Sequence, residues 1–242
     1  MNFVELHAEI AFKKIQFLLV SVNGVPGCGK TTRLGLIEMV ISSHPDWQLG
    51  VVPEPVDEWV KSGILELYYS DIPRWGLVFQ QEVMRTRTMG ILHTIQETVR
   101  KSANDGQPKT IILLSERTPD SDCMFMDMLH DSNMISEVEY QLYQSWCELW
   151  ISMIPKTRLC HIFIDTPVSI SMQRIQDRNR PGEKIDVDYQ TRLYEKHKQF
   201  YRNMDPFHLF LQLDGAIDVK SDKDSVTRQC QEIIQFIQKQ LE

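Results

Sequence analysis

Five short runs of mainly apolar residues divide the chain, and longer stretches with helical spacing lie between them. The runs cover residues 15–22, 49–52, 110–115, 159–164 and 209–213. Because they are nearly continuous rather than alternating, they are typical of strands buried on both faces of a parallel sheet. Strands that alternate with helices predict an α/β fold: a five-stranded parallel sheet with helices on both faces and ligands at the carboxyl ends of the strands.

A glycine-rich stretch follows the first run directly. Residues 24–32 read G-V-P-G-C-G-K-T-T and fit the pattern G-x-x-x-x-G-K-[ST] between a predicted strand and a predicted helix. Glycines allow positive φ angles, so that backbone N–H groups and the positive end of the helix dipole can surround an anion. A glycine turn without a ligand is the alternative. The predicted phosphate-binding residues are Gly24, Val25, Pro26, Gly27, Cys28, Gly29, Lys30, Thr31 and Thr32.

Composition describes an ordinary globular chain of 242 residues, 42% hydrophobic and 24% charged, which suits one domain over residues 1–242. The net charge of −7 argues against a nucleic-acid-binding or membrane-surface protein, since either needs excess Lys and Arg on one face. Five scattered cysteines without a C-x-x-C pair indicate neither a disulfide framework nor a zinc site. Residues 1–14 lack the features of a signal or transit peptide. We therefore expect a cytoplasmic protein without a membrane span, with a removed organellar presequence as the alternative.

Polar residues follow the predicted strands where a ligand would bind. In the loop, Lys30 would neutralise the β- and γ-phosphates of a ligand, and the Thr31 hydroxyl would ligate Mg²⁺. Glu54 follows the second strand, where a carboxylate can accept a proton from an attacking hydroxyl. Glu116 ends the third strand and could hold Mg²⁺, and Arg117 beside it could orient a substrate group. For Glu54, the alternative is an ordinary turn residue. For Glu116 and Arg117, the alternative is a surface ion pair.

Two helical segments carry further polar residues. Gln80, Val83 and Arg87 recur at i, i+3 and i+7 on one face of a helix predicted from Gly76 onward. A solvated stripe is the alternative there. A segment at about 174–186 is rich in arginine although the chain is acidic overall, which suggests a lid that closes over phosphates. The predicted lid arginines are Arg174, Arg178 and Arg180.

In this order and spacing, the segments resemble the deoxyribonucleoside kinase family, which includes deoxycytidine, deoxyguanosine and mitochondrial thymidine kinases. Besides the phosphate loop, the resemblance rests on Glu54-Pro55-Val56…Trp59, Trp75…Phe79-Gln80, Glu116-Arg117-Thr118, Tyr143-Gln144-Ser145-Trp146 and the arginine segment. It covers most of the chain. It implies a P-loop kinase fold with an arginine lid, and transfer of the γ-phosphoryl group of ATP to the 5′-hydroxyl of a deoxyribonucleoside.

The resemblance also implies roles for single residues. Glu54 matches the family's general base, Arg117 the arginine that holds that base and the 5′-oxygen, and Glu116 the acid associated with Mg²⁺. Tyr69 and Glu183 match the pair that binds the sugar 3′-hydroxyl. The residues matched to the base pocket are Trp59, Phe79 and Gln80, of which Gln80 reads the base edge.

Three positions bear on the choice of base. Arg87 and Asp122 fall where deoxycytidine and deoxyguanosine kinases carry an Arg and an Asp, whereas thymidine-accepting relatives have apolar or small residues. An Asp carboxylate accepts from the exocyclic amine of cytosine or adenine but meets only an acceptor at O4 of thymine. We therefore expect deoxycytidine or purine deoxynucleosides over thymidine. Met126 stands where the family has a phenylalanine that stacks on the base, and a flexible thioether there would widen the base range.

Two other functions compete with this interpretation. A thymidylate-type monophosphate kinase shares the fold, but Glu54 beside the acceptor oxygen would repel an acceptor phosphate. A non-catalytic scaffold subunit of the same fold is disfavoured by the complete loop with its partners Glu54 and Arg117. The resemblance further implies a homodimer through helices, with Trp146 and Trp150 in the core or the interface. The seven histidines form no ligand cluster, so no transition metal is expected.

Overall fold

The structure, a computed structural model, describes residues 17–104, 110–155, 157–204 and 209–242. The strands β1 to β5 are Phe17–Asn23, Trp47–Val52, Thr110–Glu116, Arg158–Asp165 and Phe210–Asp214. The helices α1 to α9 are Lys30–Ser42, Val56–Lys61, Ile64–Ser70, Ile72–Asn104, Pro119–Asp131, Glu137–Met153, Val168–Arg178, Val187–Asn203 and Lys223–Leu241.

The five strands form one parallel sheet in the order β2-β3-β1-β4-β5. The predicted sheet is confirmed, and the predicted strand ends differ from the observed ones by no more than two residues. Residues 15 and 16 of the first predicted strand lie outside the described residues. Because β1, β2 and β3 are neighbours, the phosphate loop, Glu54 and Arg117 all follow adjacent carboxyl ends of the sheet. The topology therefore brings the predicted chemistry to one edge.

The two faces of the sheet are buried in different cores. Leu19 of β1 belongs to a cluster with Ile91 and Ile95 of α4. Its neighbours Leu18 and Val20 belong to a larger cluster that includes residues of α1 and α9. Successive side chains of a strand point to opposite faces, so helices cover both faces, as predicted. All seven residues of β1 are buried, as expected for the central strand.

Helix α4 is longer than the sequence pattern predicts. It begins at Ile72 rather than at Gly76, because Asp71 Oδ1 accepts a hydrogen bond from the backbone N–H of Arg74 at 3.2 Å. Gly76 lies inside the helix, where a Cβ would come within 2.9 Å of Ile135 Cδ1, so the glycine serves close packing. The turn predicted over 102–108 is shortened, since α4 continues to Asn104, and residues 105–108 lie outside the described residues.

The C-terminal helix α9 packs against the sheet, as its spacing predicts. Ile233 and Ile237 are buried in the larger core, one turn apart. Within the described ranges, none of the helices combines the length and the apolar composition that crossing a bilayer requires.

Candidate active site

The phosphate loop joins β1 to α1, and its glycines adopt conformations that other residues avoid. The φ angles are 149° at Gly24, 75° at Gly27 and 96° at Gly29. A Cβ on Gly24 would lie 2.5 Å from Cys28 Sγ, and a Cβ on Gly27 would lie 2.3 Å from the carbonyl oxygen of Ser171. Both positions therefore exclude a side chain, and the loop can wrap closely around the start of α1.

Lys30 lies beneath the loop at the first position of α1. Its Nζ donates to the carbonyl oxygens of Gly24 and Val25 at 3.0 and 3.1 Å and lies 3.6 Å from the Glu116 carboxylate. Thr31 follows on the exposed side and lines the cleft described below, whereas the exposed Thr32 does not. Lys30 and Thr31 therefore both lie at the start of α1, beside the loop and the cleft.

Side chains from α7 and α8 hold the loop backbone from outside. Gln190 Nε2 donates to the carbonyl oxygen of Pro26 at 2.7 Å. Arg174 Nη1 donates to the carbonyl oxygens of Cys28 at 3.1 Å and Gly215 at 2.9 Å. Arg174 is absent from the described lining of the cleft. It braces the loop instead of lining the cleft.

A cleft opens beside the loop and collects most of the predicted residues. The predicted residues that line it are Pro26, Lys30, Thr31, Glu54, Trp59, Tyr69, Phe79, Gln80, Arg87, Glu116, Arg117, Asp122, Arg178, Arg180 and Glu183. Lining residues that sequence analysis did not assign to the site are Val56, Leu65, Tyr68, Val83, Phe125 and Tyr189. The spacing of Gln80, Val83 and Arg87 does place all three on the face of α4 that borders the cleft.

Four charged side chains interlock at the buried end of the cleft. Glu54 Oε1 accepts from Arg117 Nη1 at 2.8 Å and from Arg87 Nη2 at 3.2 Å. Arg87 Nε donates to Asp122 Oδ2 at 2.5 Å, and Arg87 Nη1 donates to the carbonyl oxygen of Glu116. Both arginines bind the same oxygen of Glu54. Among the described residues, Oε2 is therefore the Glu54 oxygen left to accept a hydrogen bond from a ligand.

The charges of this network set the protonation state of Glu54. Burial alone would raise the pKa of Glu54, but the positive charges of Arg117, Arg87 and Lys30 together outweigh it and lower the pKa to about 2. Burial likewise works against the charge of Arg87, yet Asp122 and Glu54 raise its pKa. Glu54 is consequently an ionised acceptor between two permanent cations at neutral pH.

The backbone at Arg117 is in the left-handed region, with φ of 62°, which is uncommon for a residue other than glycine. Its Nη2 donates to the carbonyl oxygen of Gly24 in the phosphate loop at 3.1 Å. A polar chain follows it: Thr118 Oγ1 donates to Asp120 Oδ1 at 2.5 Å, and Asp120 Oδ2 lies 3.2 Å from His161 Nε2. Such conformations persist where the surroundings determine them, and they are frequent at functional sites.

Aromatic side chains form the wall opposite the charges. The rings of Trp59 and Phe79 meet edge to face with centroids 5.6 Å apart, and Phe79 lies 4.6 Å from the ring of Tyr68. The hydroxyls of Tyr68 and Tyr189 are hydrogen-bonded at 2.8 Å. Sequence analysis missed these two tyrosines. Tyr68 directly precedes Tyr69 and could have been found by that proximity, whereas Tyr189 lies in α8 without any motif.

Two arginines at the end of α7 and just after it pair with one carboxylate. Arg178 Nη2 donates to both oxygens of Glu183 at 2.8 and 2.6 Å, and Arg180 Nη1 lies 3.8 Å from the same group. Gly182 turns the chain between them with φ of 77°. All three side chains line the cleft, so the segment presents two cations that share one anion at its rim.

Met126 lies outside the described lining of the cleft. It is fully buried in the core and is absent from the described cleft lining, where Phe125 stands instead. The guanidinium of Arg117 lies 4.9 Å from the centre of the Phe125 ring. Phe125 and Met126 both follow Asp122 by about one helical turn, and the orientation of α5 directs Phe125 toward the cleft. The expectation of a wider base range through Met126 has no support from the cleft lining and stays a prediction.

Thr31 and Glu116 are the residues that could hold Mg²⁺, and their chemistry fits that ion. Both line the cleft. In kinase sites, Mg²⁺ is bound through one or two protein oxygens together with substrate phosphates and water. Burial and the charge of Glu54 raise the pKa of Glu116, and a nearby cation favours the ionised form. No group of three or more His, Cys, Asp or Glu side chains suited to a metal occurs in the described ranges.

Comparisons with known proteins identify the family. The family model described as deoxynucleoside kinase matches residues 20–238. The chain is 25% identical over 224 residues to a probable deoxycytidine kinase of fowlpox virus, covering 90% of this chain and 87% of that protein. It is 25% identical over 245 residues to deoxycytidine kinase of Rattus norvegicus, covering 89% and 90%. It is 24% identical over 199 residues to a deoxyadenosine kinase of Dictyostelium discoideum, covering 81% and 71%.

A solved structure shares the fold. The deoxyadenosine kinase from M. mycoides with bound dCTP superposes with a TM-score of 0.67 at 20% identity, over 90% of this chain and 99% of that chain. The family match spans the end of β1, the other four strands, the phosphate loop and all residues that line the described cleft. The chain therefore belongs to the deoxynucleoside kinase family.

Proposed function

We propose that the protein transfers the γ-phosphoryl group of ATP to the 5′-hydroxyl of a deoxyribonucleoside. The observation that carries this proposal is the position of Arg117, which binds Glu54 Oε1 at 2.8 Å and the Gly24 carbonyl oxygen at 3.1 Å. One guanidinium thereby connects the acid beside the acceptor to the loop beside the donor. Positioning of this kind supplies much of the acceleration in phosphoryl transfer, where the protein has little covalent chemistry to perform.

Glu54 acts as the acceptor for the hydroxyl proton. With a pKa of about 2, it is ionised at neutral pH, and its Oε2 can accept a hydrogen bond from the 5′-hydroxyl. Such a bond orients the oxygen toward the γ-phosphorus. The hydroxyl proton becomes acidic as the oxygen bonds to phosphorus, and Glu54 then takes it. Arg117 and Arg87 hold the carboxylate in place throughout.

The phosphate side neutralises charge. Lys30 and the N–H groups at the start of α1 receive the β- and γ-phosphates, and Thr31 and Glu116 would hold Mg²⁺, which neutralises the phosphate oxygens when it is bound. Arg178 and Arg180 serve as the lid cations. Bound phosphate competes with Glu183 for these cations, and this exchange would free the Glu183 carboxylate for the sugar.

Different sides of the cleft bind the sugar and the base. Burial and the neighbouring Tyr189 raise the pKa of Tyr69, so its phenol stays protonated as a donor and can bind the 3′-hydroxyl together with Glu183. Gln80 is buried at 2% exposure and offers a donor and an acceptor to a base edge. Trp59 and Phe79 supply the flat apolar surface that packs against a base ring.

Deoxycytidine or a purine deoxynucleoside is the proposed substrate, in preference to thymidine. Asp122 is completely buried and fixed by Arg87 at 2.5 Å, so it cannot turn away from a base that fails to donate to it. If thymine bound, its O4 would face that carboxylate, and two hydrogen-bond acceptors would oppose each other. This arrangement lowers the binding free energy by far more than the loss of one contact. The names of the viral, rat and Dictyostelium relatives, deoxycytidine and deoxyadenosine kinases, agree with a base that carries an exocyclic amine.

A homodimer in the cytoplasm completes the proposal. Helices α4 and α6 expose large apolar side chains that a second copy could cover: Val78, Met89, Val138, Leu142, Trp146, Leu149 and Ile151. Light scattering coupled to size exclusion tests the dimer, since a monomeric mass at micromolar concentration would contradict it.

The reaction is tested with purified protein, ATP, Mg²⁺ and each of the four deoxynucleosides. We expect kcat/KM for deoxycytidine, deoxyadenosine or deoxyguanosine to exceed that for thymidine by at least about tenfold. A parallel assay with the deoxynucleoside monophosphates separates this reaction from that of a monophosphate kinase. Consumption of ATP only with monophosphates, or with no acceptor at all, would contradict the proposal.

A further inference from the structure

Two cysteines face each other between the helices behind the nucleoside side of the cleft. Cys123 lies on α5 and Cys147 on α6, and their sulfur atoms are 3.5 Å apart. Both thiols are free. The two helices are connected by the turn at 132–136 and pack closely. The contact is therefore held by a compact helical hairpin and does not depend on a mobile loop.

The surroundings of the two thiols differ in a way that suits a reaction between them. Cys147 is buried at 5% exposure, whereas Cys123 is partly exposed. The contact between the two sulfur atoms lowers the pKa of Cys147 against the effect of burial, and the same contact raises the pKa of Cys123. The pair consequently contains one thiol that deprotonates more readily and one that keeps its proton, as a nucleophile and a resolving thiol do.

A disulfide needs only a small approach of the two sulfur atoms. The S–S bond length is about 2.05 Å, so the observed distance of 3.5 Å must shorten by about 1.5 Å. The other cysteines lie in the phosphate loop (Cys28), in β4 (Cys160) and in α9 (Cys230), and no other sulfur–sulfur contact is present in the described part of the chain.

We propose that Cys123 and Cys147 form a reversible disulfide when the protein meets a peroxide, and that this bond weakens nucleoside binding. The Cys147 thiolate attacks one peroxide oxygen and breaks the O–O bond, which yields a sulfenic acid and hydroxide. The Cys123 sulfur then attacks the sulfenic sulfur and displaces its oxygen as water. In balance, two thiols and one hydrogen peroxide give one disulfide and two waters. A dithiol reductant reverses the step by thiol–disulfide exchange.

The effect on the cleft follows from the neighbour of Cys123. Asp122 precedes it in α5 and binds Arg87, which in turn binds Glu54. The sulfur atoms must approach by about 1.5 Å, and part of this movement draws α5 toward α6. Asp122 then moves away from Arg87, which it contacts at 2.5 Å. Displacements of about 1 Å in a preorganised site can cost up to ~100-fold in rate. We therefore expect the KM for the nucleoside to rise by about tenfold, while the KM for ATP changes little. The expected effect on nucleoside binding rests on the proposed function, whereas disulfide formation does not.

The experiment compares the full-length wild type with Cys123→Ser, Cys147→Ser and, as the matched control, Cys230→Ser. Each protein is treated with hydrogen peroxide, alkylated, digested and analysed by mass spectrometry, and then assayed before and after dithiothreitol. We expect a 123–147 crosslink that has lost two hydrogen masses in wild type and in Cys230→Ser, and none in the other two variants. Circular dichroism checks that the serine variants are folded.

The outcomes separate the two halves of the proposal. If both thiols of the wild type remain alkylatable after peroxide treatment, the disulfide site is wrong. If the crosslink forms while nucleoside affinity, measured by calorimetry with deoxycytidine, stays the same, the link to Asp122 is wrong. A tenfold weakening that dithiothreitol restores, and that Cys123→Ser abolishes, supports both. Because the crosslink and the affinity are read without turnover, a protein that fails to phosphorylate nucleosides contradicts the proposed function only.

Discussion

The nucleoside half of the cleft (Glu54, Arg87, Arg117 and Asp122) and the arginine segment at its rim (Arg178 and Arg180) hold their charges in different ways. Arg87 is 2% exposed and is bound on both sides by Asp122 and Glu54, so its charge is fully compensated inside the fold. Arg178 and Arg180 are 34% and 29% exposed and share the single carboxylate of Glu183. A buried, closed network is rigid, whereas exposed cations can exchange their partner for phosphate. Changes in the nucleoside half should therefore affect folding as well as catalysis, and changes in the arginine segment should affect catalysis alone.

The largest expected effect is that of Glu54→Gln on turnover. The amide keeps the size of the side chain but cannot take the proton, so kcat/KM for deoxycytidine should fall by about 10²-fold to 10⁴-fold. Steady-state kinetics measures this loss. Glu58→Gln, on the exposed side of α2, is the matched control and should retain wild-type activity. Full activity of Glu54→Gln would remove Glu54 from the reaction.

The next effect is on stability, and α4 carries its own control. Arg87 pairs with buried Asp122, and Arg85 pairs with Glu82 at the surface, where the side chains are 50% and 35% exposed. Asp122→Ala removes one of the two carboxylates that pair with the buried Arg87 and should lower the free energy of unfolding by about 3 to 5 kcal/mol. Glu82→Ala should change it by no more than about 1 kcal/mol. Equal urea midpoints for the two variants would contradict the distinction between buried and exposed pairs.

Removal of a lid cation should cost less and should leave the fold intact. Arg178→Ala is expected to lower kcat by about 10-fold to 100-fold, because one cation is lost where charge develops on the phosphate. Its unfolding midpoint should match that of the wild type. Arg202→Ala, at the exposed end of α8, provides the comparison and should leave kcat unchanged. A stability loss in Arg178→Ala as large as that in Asp122→Ala would show that the rim is as rigid as the nucleoside half.

The smallest expected effect is that of pH on the role of Glu54. Its pKa of about 2 in the fold lies below the ordinary 4.5, so the stability it contributes is complete above 4.5 and is lost as the pH falls toward 2. The kcat/KM profile should show no ionisation of Glu54 between about pH 5 and about pH 8. An acidic limb near pH 6 in the wild type that disappears in Glu54→Gln would mean that the two arginines do not hold the pKa of Glu54 low.

Sequence analysis predicted the parts of the site that depend on local patterns. The sheet, the phosphate loop and the face of α4 with Gln80, Val83 and Arg87 follow from runs, glycines and helical spacing. Glu54 and Arg117 follow from their places after neighbouring strands. These features need only a few adjacent residues and the rule that parallel strands present their carboxyl ends together.

The remaining parts depend on rotation and on distant contacts. Phe125 and Met126 are both about one turn from Asp122, and only the packing of α5 decides which of them reaches the cleft. Tyr189 enters from α8 through its hydroxyl contact with Tyr68, and no motif marks it. Arg174 binds two loop carbonyls that lie far from it in sequence. Contacts of this kind cannot be obtained from spacing in a single chain.

The most direct test of the central claim is the identity of the product formed from ATP and deoxycytidine. If Glu54 Oε2 orients the 5′-hydroxyl toward the loop, ³¹P NMR should detect deoxycytidine 5′-monophosphate together with ADP, and Glu54→Gln should form it at a small fraction of the wild-type rate. A phosphate ester at the 3′ position, ADP without any ester, or an equal rate in Glu54→Gln would contradict this role of Glu54.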